Sequence, residues 1–152
     1  MRNRHPHLLV ALSLLPLSSI GQTNLCMQGE LTEWSCTAKS KIYSLCSSED
    51  LGPTTGYMQY RAGKTSKTGF VFPERLEHPK NYLRLDLLAK GASSSFSNVG
   101  YENMIYEQLI GPTVIDVIKG RNPVASVLCK STTDTLSLTT TQERFRLLGI
   151  YQ

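Results

Sequence analysis

The sequence predicts a mainly β fold: a small antiparallel β-barrel or sandwich of seven to eight strands with a short C-terminal helix, stapled by disulfide bonds. Short β-branched, aromatic or alternating segments recur along the chain, and clusters of Gly, Pro and Asn separate them. The chain has four cysteines, an even number that can close two bridges. A length of 152 residues accommodates one hydrophobic core of ordinary size.

Eight segments have the character of β-strands. They are residues 41–46, 57–61, 70–72, 82–90, 101–110, 113–119, 124–130 and 136–140. The fourth of them is the clearest. Leu83, Leu85 and Leu87 occupy alternate positions there, which is the period of a half-buried antiparallel strand.

A helix is predicted at the C-terminus. Thr140 and Glu143 have the spacing of a capping box, in which a hydroxyl and a carboxylate satisfy free backbone amides. Phe145 and Leu148 fall on one face of this helix, and Gly149 is placed to end it.

The first 21 residues have the features of a secretory signal peptide. Arg2 and Arg4 precede an apolar run, residues 8–17, and small residues follow it. The run is shorter than the roughly 20 residues that span a membrane. We therefore expect residues 22–152 to form a single exported domain, periplasmic or secreted, with no transmembrane segment after cleavage.

The charge of this domain does not favour nucleic-acid binding. The full chain has a formal net charge of +4. Without Arg2 and Arg4, fourteen basic residues face twelve acids, so the exported domain is only slightly basic. Recognition of nucleic acid needs a clustered basic face, which this balance does not predict.

All four cysteines, Cys26, Cys36, Cys46 and Cys129, follow the expected cleavage point. They indicate two disulfide bonds formed in an oxidising compartment. Three pairings are possible, and each joins Cys129 to the N-terminal third of the chain. The spacings match no C-x-x-C zinc pattern. Trp34 is close to Cys36, and we expect it to pack in the core.

No motif for catalysis or for a cofactor occurs in the sequence. A G-x-S-x-G elbow, a Walker loop, a G-x-G-x-x-G turn and an EF-hand are all missing, so we predict neither an enzyme nor a cofactor or metal. His78 is the only histidine of the exported domain, and Pro79 after it favours an extended surface turn. Three pairs of acids are close in sequence: Glu30 and Glu33, Glu74 and Glu77, and Glu102 and Glu107. Solvated surface positions explain each pair without glycosidase chemistry.

Residues 91–101 (GASSSFSNVGY) are expected to form a polar loop between two strands. Two interpretations are open: a long hairpin loop of small residues, or a protruding loop that enters the cleft of another protein. In the second, Tyr101 is the anchor and the small side chains let the backbone approach the partner closely. The candidate contact residues are Ser93, Ser94, Ser95, Ser97 and Tyr101.

A second candidate site is the basic tip of the hairpin that follows residue 57. Its cations are Arg61, Lys64 and Lys67. They either attract an acidic partner or an anionic envelope polymer, or they serve only solubility.

In the order of its elements, the chain resembles the periplasmic and membrane-bound inhibitors of C-type lysozyme over residues 36–130. Leu85, Leu87 and Leu88 lead into the serine-rich segment, which closes on Tyr101, and Tyr106 follows in the next strand. The resemblance implies a small exported β-barrel with an early cysteine bridged to a late one. In that family the serine and tyrosine of a Ser-Gly-x-x-Tyr loop face the catalytic carboxylates of lysozyme.

This chain has no Ser-Gly-x-x-Tyr, so the resemblance implies Tyr101 and one of the four loop serines as the counterparts. The phrases YSLC, GYMQYRAGK and LLGIY are also similar to an uncharacterised group of small exported bacterial proteins, which implies no activity.

These observations predict an exported protein that binds and blocks a peptidoglycan-degrading enzyme, like a lysozyme inhibitor or an immunity protein. The alternative is a non-catalytic module that binds carbohydrate or envelope polymer through its basic hairpin.

Overall fold

Two antiparallel sheets and one helix make up the protein in a computed structural model that describes residues 24–64, 67–130 and 137–151. The expected signal peptide lies outside these residues. The elements in chain order are β1 (Glu30–Ala38), β2 (Lys41–Ser48), β3 (Met58–Lys64), β4 (Lys67–Glu77), a 3-10 turn (Pro79–Asn81), β5 (Arg84–Leu88), β6 (Gly91–Asn98), β7 (Tyr101–Gln108), β8 (Val114–Lys119), β9 (Asn122–Leu128) and α1 (Leu138–Leu147).

Each sheet is a meander in which every strand pairs with the next one along the chain. The first sheet has the order β1-β2-β3-β4 and the second has the order β5-β6-β7-β8-β9. Both sheets end in edge strands, so the architecture is a sandwich and not a closed barrel. The prediction of a mainly β, disulfide-stapled fold with a C-terminal helix is confirmed, with nine strands in the described residues instead of seven or eight.

The core lies between the two sheets. In the first sheet Trp34, Leu45 and Tyr60 are in register across three strands and point inward. Phe72 continues this row on β4 and stacks on Phe96 of the second sheet, with ring centroids 4.6 Å apart. Alternation therefore places one face of each strand in the shared core, as the period of two requires. Trp34 is fully buried there, which confirms its predicted role in packing.

Two disulfide bonds staple this sandwich. Cys26–Cys46 fastens the segment before β1 to β2, whereas Cys36–Cys129 joins β1 of the first sheet to the end of β9 in the second. The expected link from Cys129 to the N-terminal third is thus present. Two such bonds indicate an oxidising environment.

The C-terminal helix begins three residues earlier than the capping-box pattern predicts. Ser137 is its N-cap, and the Ser137 Oγ accepts a hydrogen bond from the Thr140 amide at 3.2 Å. The structure therefore places Thr140 inside the first turn, where it cannot act as the cap. Gly149 follows the helix with φ +68°, as predicted for the residue that ends it.

Most strand predictions are confirmed, with three differences. β1 has no clear strand pattern in the sequence, because the charged Glu30 and Glu33 obscure its apolar positions. The predicted strand at residues 136–140 is wrong where the structure describes it, because Leu138 and Thr140 belong to α1. The strand expected at residues 70–72 extends through Pro73, which an edge strand such as β4 tolerates.

The prediction of a long loop at residues 91–101 is also wrong. Gly91–Asn98 is β6, which pairs with β5 on one side and β7 on the other. Serine has a weak preference for strands, but two flanking strands and burial override that local preference. The connection to β7 is only the two-residue turn of Val99 and Gly100.

Candidate functional site

The turn between β6 and β7 has an unusual backbone conformation for its sequence. Asn98 pairs with Tyr101, so Val99 and Gly100 form a two-residue hairpin loop with φ angles of +47° and +76°. Positive φ at both positions is the signature of a type I′ turn, which normally has Asn or Asp before Gly. A β-branched residue in this region is strained by about 1–2 kcal/mol. The strained valine is also 88% exposed.

Apolar and polar side chains surround this valine and form what we call the turn surface. It consists of Phe70, Asn98, Val99, Tyr101, Asn103 and Val117, which line a shallow hollow of about 310 Å3. Phe70 comes from β4, whereas the others come from the second sheet and its turn. The Lys119 ammonium lies 5.1 Å from the centroid of the Tyr101 ring, which adds a cation beside the hollow.

None of the four serine candidates lines the turn surface. Ser93, Ser94 and Ser95 are buried in β6, so they cannot form the expected protruding contact. Ser97 is exposed, and Tyr101 is half-buried beside the turn. Of the five predicted contact residues, only Tyr101 lines the turn surface, because Ser97 alternates with Asn98 and points to the opposite face of the sheet. Val99 is not among the predicted contact residues, although a valine directly before Gly100 is a signal that the sequence itself contains.

The basic hairpin is smaller than predicted, because Arg61 points away from solvent. Its side chain is 4% exposed and donates to both carboxylate oxygens of Glu30, with one Nη2 to Oε1 distance of 2.8 Å. It also donates to the Leu25 carbonyl and the Gln59 side chain. Arg61 is therefore an internal ion-pair partner and not a contact for a ligand. Lys64 and Lys67 are exposed and face each other across the hairpin.

Glu30 is held in its ionised form by these donors. Burial alone raises the pKa of its carboxyl, but hydrogen bonds from Arg61, the Met27 amide and the Tyr57 hydroxyl outweigh burial and lower that pKa below its ordinary value. A carboxylate whose ionised form is favoured by a paired arginine stabilises the fold and is poorly suited to proton transfer.

Glu33 has a separate arginine partner. This fully buried carboxylate accepts hydrogen bonds from Ser47 Oγ and from Arg144 of α1, with the Arg144 Nε 3.2 Å from Oε2. Thr141 Oγ1 donates to the Glu33 backbone carbonyl at 2.6 Å. Glu30 and Glu33 therefore belong to two independent ion pairs, and the surface positions expected for both are wrong because both carboxylates are buried.

Glu107 is the acid whose environment opposes ionisation. Burial raises the pKa of its carboxyl above the ordinary value, against hydrogen bonds from the Leu138 and Thr139 amides at the start of α1. The Trp34 indole N–H also favours the ionised form, although its geometry falls short of a full hydrogen bond. Desolvation is the largest of these effects, so the folded protein binds a proton at Glu107 more tightly than the unfolded chain does.

This raised pKa predicts that Glu107→Gln changes the free energy of unfolding by an amount that depends on pH. The free energy of unfolding of the wild type falls as pH rises from 4.5, the ordinary pKa of a glutamate, through the raised pKa of Glu107. The reason is that Glu107 ionises less readily in the folded state than in the unfolded chain. The glutamine variant does not ionise, so its stability relative to the wild type should increase between pH 4.5 and pH 7. Urea unfolding at both values measures this change. Glu102→Gln, at an exposed position of the same strand, is the control, and an equal difference at both pH values would contradict the assignment.

Two other candidate groups have structural roles. His78 lies in an extended conformation before the 3-10 turn, and its Nε2 is 2.8 Å from the Gly52 carbonyl oxygen. Within the described ranges, Cys26, Glu30 and Cys46 have a spacing that could hold a metal ion. Both sulfur atoms belong to one disulfide, however, so neither is a thiolate ligand.

Comparisons with known proteins identify no relative that indicates a function. No family model matches the chain, and no curated protein or solved structure matches it either. The resemblance to lysozyme inhibitors therefore remains a prediction. In the part of the chain that the structure describes, no helix has the length and apolar character needed to cross a membrane.

Proposed function

We propose that the protein is exported to the periplasm or the exterior and blocks a peptidoglycan-degrading enzyme by inserting the turn surface into its cleft. The observation that carries this proposal is the exposed Val99 at φ +47°. Asparagine or glycine at this position relieves the strain, so a valine held outward has a role that stability does not explain. Contact with a partner is such a role.

The shape and charge of the turn surface support an enzyme cleft as the target. A two-residue turn is narrow enough to enter a groove, and Val99, Phe70 and Tyr101 provide apolar and aromatic anchors. Lys119 beside Tyr101 adds positive charge. Glycosidases that cleave peptidoglycan use paired carboxylates in a concave site, which is complementary to an apolar tip with an adjacent cation.

The alternative of polymer binding through the basic hairpin is weaker, because Arg61 is engaged with Glu30 inside the protein. Two lysines remain for that role. Their replacement by Lys64→Glu and Lys67→Glu should leave binding to the target enzyme unchanged. Loss of binding in that variant would favour the alternative.

The variant Val99→Asn tests the proposal because it should change stability and binding in opposite directions. Asn-Gly is the preferred type I′ sequence, so we expect the free energy of unfolding to rise by about 1 kcal/mol. Loss of the apolar anchor should weaken binding to a susceptible peptidoglycan hydrolase at least tenfold. Biolayer interferometry on immobilised C-type, G-type and I-type lysozymes, with protein exported from the full-length sequence, measures the affinity.

Leu76→Asn is the matched control. Leu76 is an exposed apolar residue of β4 outside the turn surface. Its replacement should leave the affinity unchanged, whereas an undiminished affinity of Val99→Asn would remove the turn surface from the mechanism.

A further inference from the structure

A second surface is provided by the edge of β9, which pairs only with β8 among the residues that the structure describes. The edge strands of the two sheets are β1, β4, β5 and β9. Natural proteins protect such edges with charged residues, because the unpaired backbone groups otherwise pair with another chain. The first three contain charges: Glu30 and Glu33 in β1, four ionisable residues in β4, and Arg84 and Asp86 in β5. The sequence of β9, NPVASVL, contains none.

The apolar side chains of β9 are also open to solvent. Val124 is 53% exposed and Leu128 is 60% exposed. All of the first five residues of the strand are exposed. Pro123 blocks pairing only near the start of the strand. An uncharged, exposed strand of seven residues is the kind of edge to which an extended peptide adds.

A groove runs beside the second half of this strand. It has a volume of about 440 Å3 and lies between β9 and the hairpin that joins β1 to β2. Tyr43, Val127 and Leu128 give it apolar walls, and Lys39 and Lys41 supply positive charge. Strand addition uses such a groove to hold alternate side chains of the added peptide, while backbone hydrogen bonds provide affinity.

Both ends of β9 are basic. Lys119 and Arg121 lie at the turn before it, and Lys39, Lys41 and Lys130 lie around its end, where the Lys130 amide bonds the Thr37 carbonyl. A second copy of this chain in antiparallel pairing would bring these two basic ends together, which is unfavourable. Asp116 is the acid on the neighbouring strand, but it is opposite Ser126 and one strand in from the edge.

We propose that the edge of β9 binds an extended, acidic segment of a protein partner, which joins the second sheet as a sixth strand. The uncharged edge accepts the backbone of the segment, the groove accepts alternate side chains, and the lysines pair with its acids. This site is separate from the turn surface and does not depend on inhibition of a hydrolase.

Selection from a displayed library of random ten-residue peptides on the exported protein tests the proposal. We expect enrichment of peptides in which Asp or Glu alternates with apolar or β-branched residues. For the strongest peptide, Lys39→Glu with Lys41→Glu should weaken binding at least tenfold. Lys64→Glu with Lys67→Glu, on the other basic hairpin, is the control with the same change of charge and should leave the affinity unchanged.

Backbone methylation of the same peptide distinguishes strand addition from side-chain binding in the groove. An added strand presents alternate amides to β9, so N-methylation of one alternate set should abolish binding while methylation of the other set should be tolerated. Amide hydrogen exchange of residues 124–128 should slow when the unmodified peptide binds.

Three results would overturn the proposal. The library could fail to enrich acidic peptides, or the two methylation patterns could weaken binding equally. Amide exchange of β9 could also slow without any peptide, at protein concentrations where the chain sediments as a dimer. The last result would assign the edge to a second copy of the chain.

Discussion

Removal of the Cys36–Cys129 bridge is expected to cause the largest loss of stability of any change described above. This disulfide closes a loop with a sequence separation of 93 and joins the first sheet to the second. In the chain-entropy model a loop of this length stabilises the folded state by about 4.6 kcal/mol. We expect the variant Cys36→Ala with Cys129→Ala to lose about that free energy in equilibrium urea unfolding.

The second bridge supplies the control for this prediction. Cys26–Cys46 has a sequence separation of 20 and fastens only the segment before β1 to the first sheet. Its replacement by two alanines should remove about 3.3 kcal/mol by the same model. An equal loss for the two variants, or a reversed order, would show that the bridge between the sheets does not act mainly by restricting the unfolded chain.

Arg144→Ala should produce the largest effect of any single substitution described here, because it leaves the fully buried Glu33 carboxylate without its charge partner. Breaking a buried ion pair from one side typically removes 3–5 kcal/mol. We expect about 3 kcal/mol, at the lower end of that range, since Arg144 is partly exposed and water can approach the carboxylate. Thermal or urea unfolding at pH 7 measures the loss.

Arg146→Ala is the matched control on the same helix. Arg146 pairs with Glu143 at the protein surface, and exposed pairs of this kind contribute little to stability. Its replacement should leave the unfolding midpoint nearly unchanged. In a double-mutant cycle, Arg144→Ala should also be less damaging in a Glu33→Gln background, because no buried charge then remains. Additive effects would contradict the ion-pair explanation.

The fold class follows from local patterns that the sequence displays openly. Alternating leucines before Leu88, turn signals between the later strands and Gly149 after the helix each act over a few residues, so they are readable without the tertiary structure. β6 cannot be predicted from its local sequence, because its serines have a weak preference for strands. The neighbouring strands and the shared core determine its conformation, and these are not visible in the local sequence.

The candidate site was only partly predictable for the same reason. Tyr101 was identified as an aromatic residue that bounds a polar segment, and it does lie on the turn surface. Arg61 was assigned to a basic tip, but its partner Glu30 is 31 residues away in sequence, and nothing in either segment indicates the pairing. Phe70 reaches the turn surface from the other sheet, which depends on how the two sheets pack.

The most direct test of the proposed function is the clearing of purified bacterial cell walls by lysozyme, with and without an excess of the protein. C-type, G-type and I-type lysozymes should be assayed separately, with Val99→Asn and Leu76→Asn included in each series. We predict dose-dependent protection by the wild type and by Leu76→Asn against at least one of the enzymes, and at least tenfold weaker protection by Val99→Asn. Clearing at the full rate with all three enzymes, or equal protection by the two variants, would contradict the inhibitor mechanism.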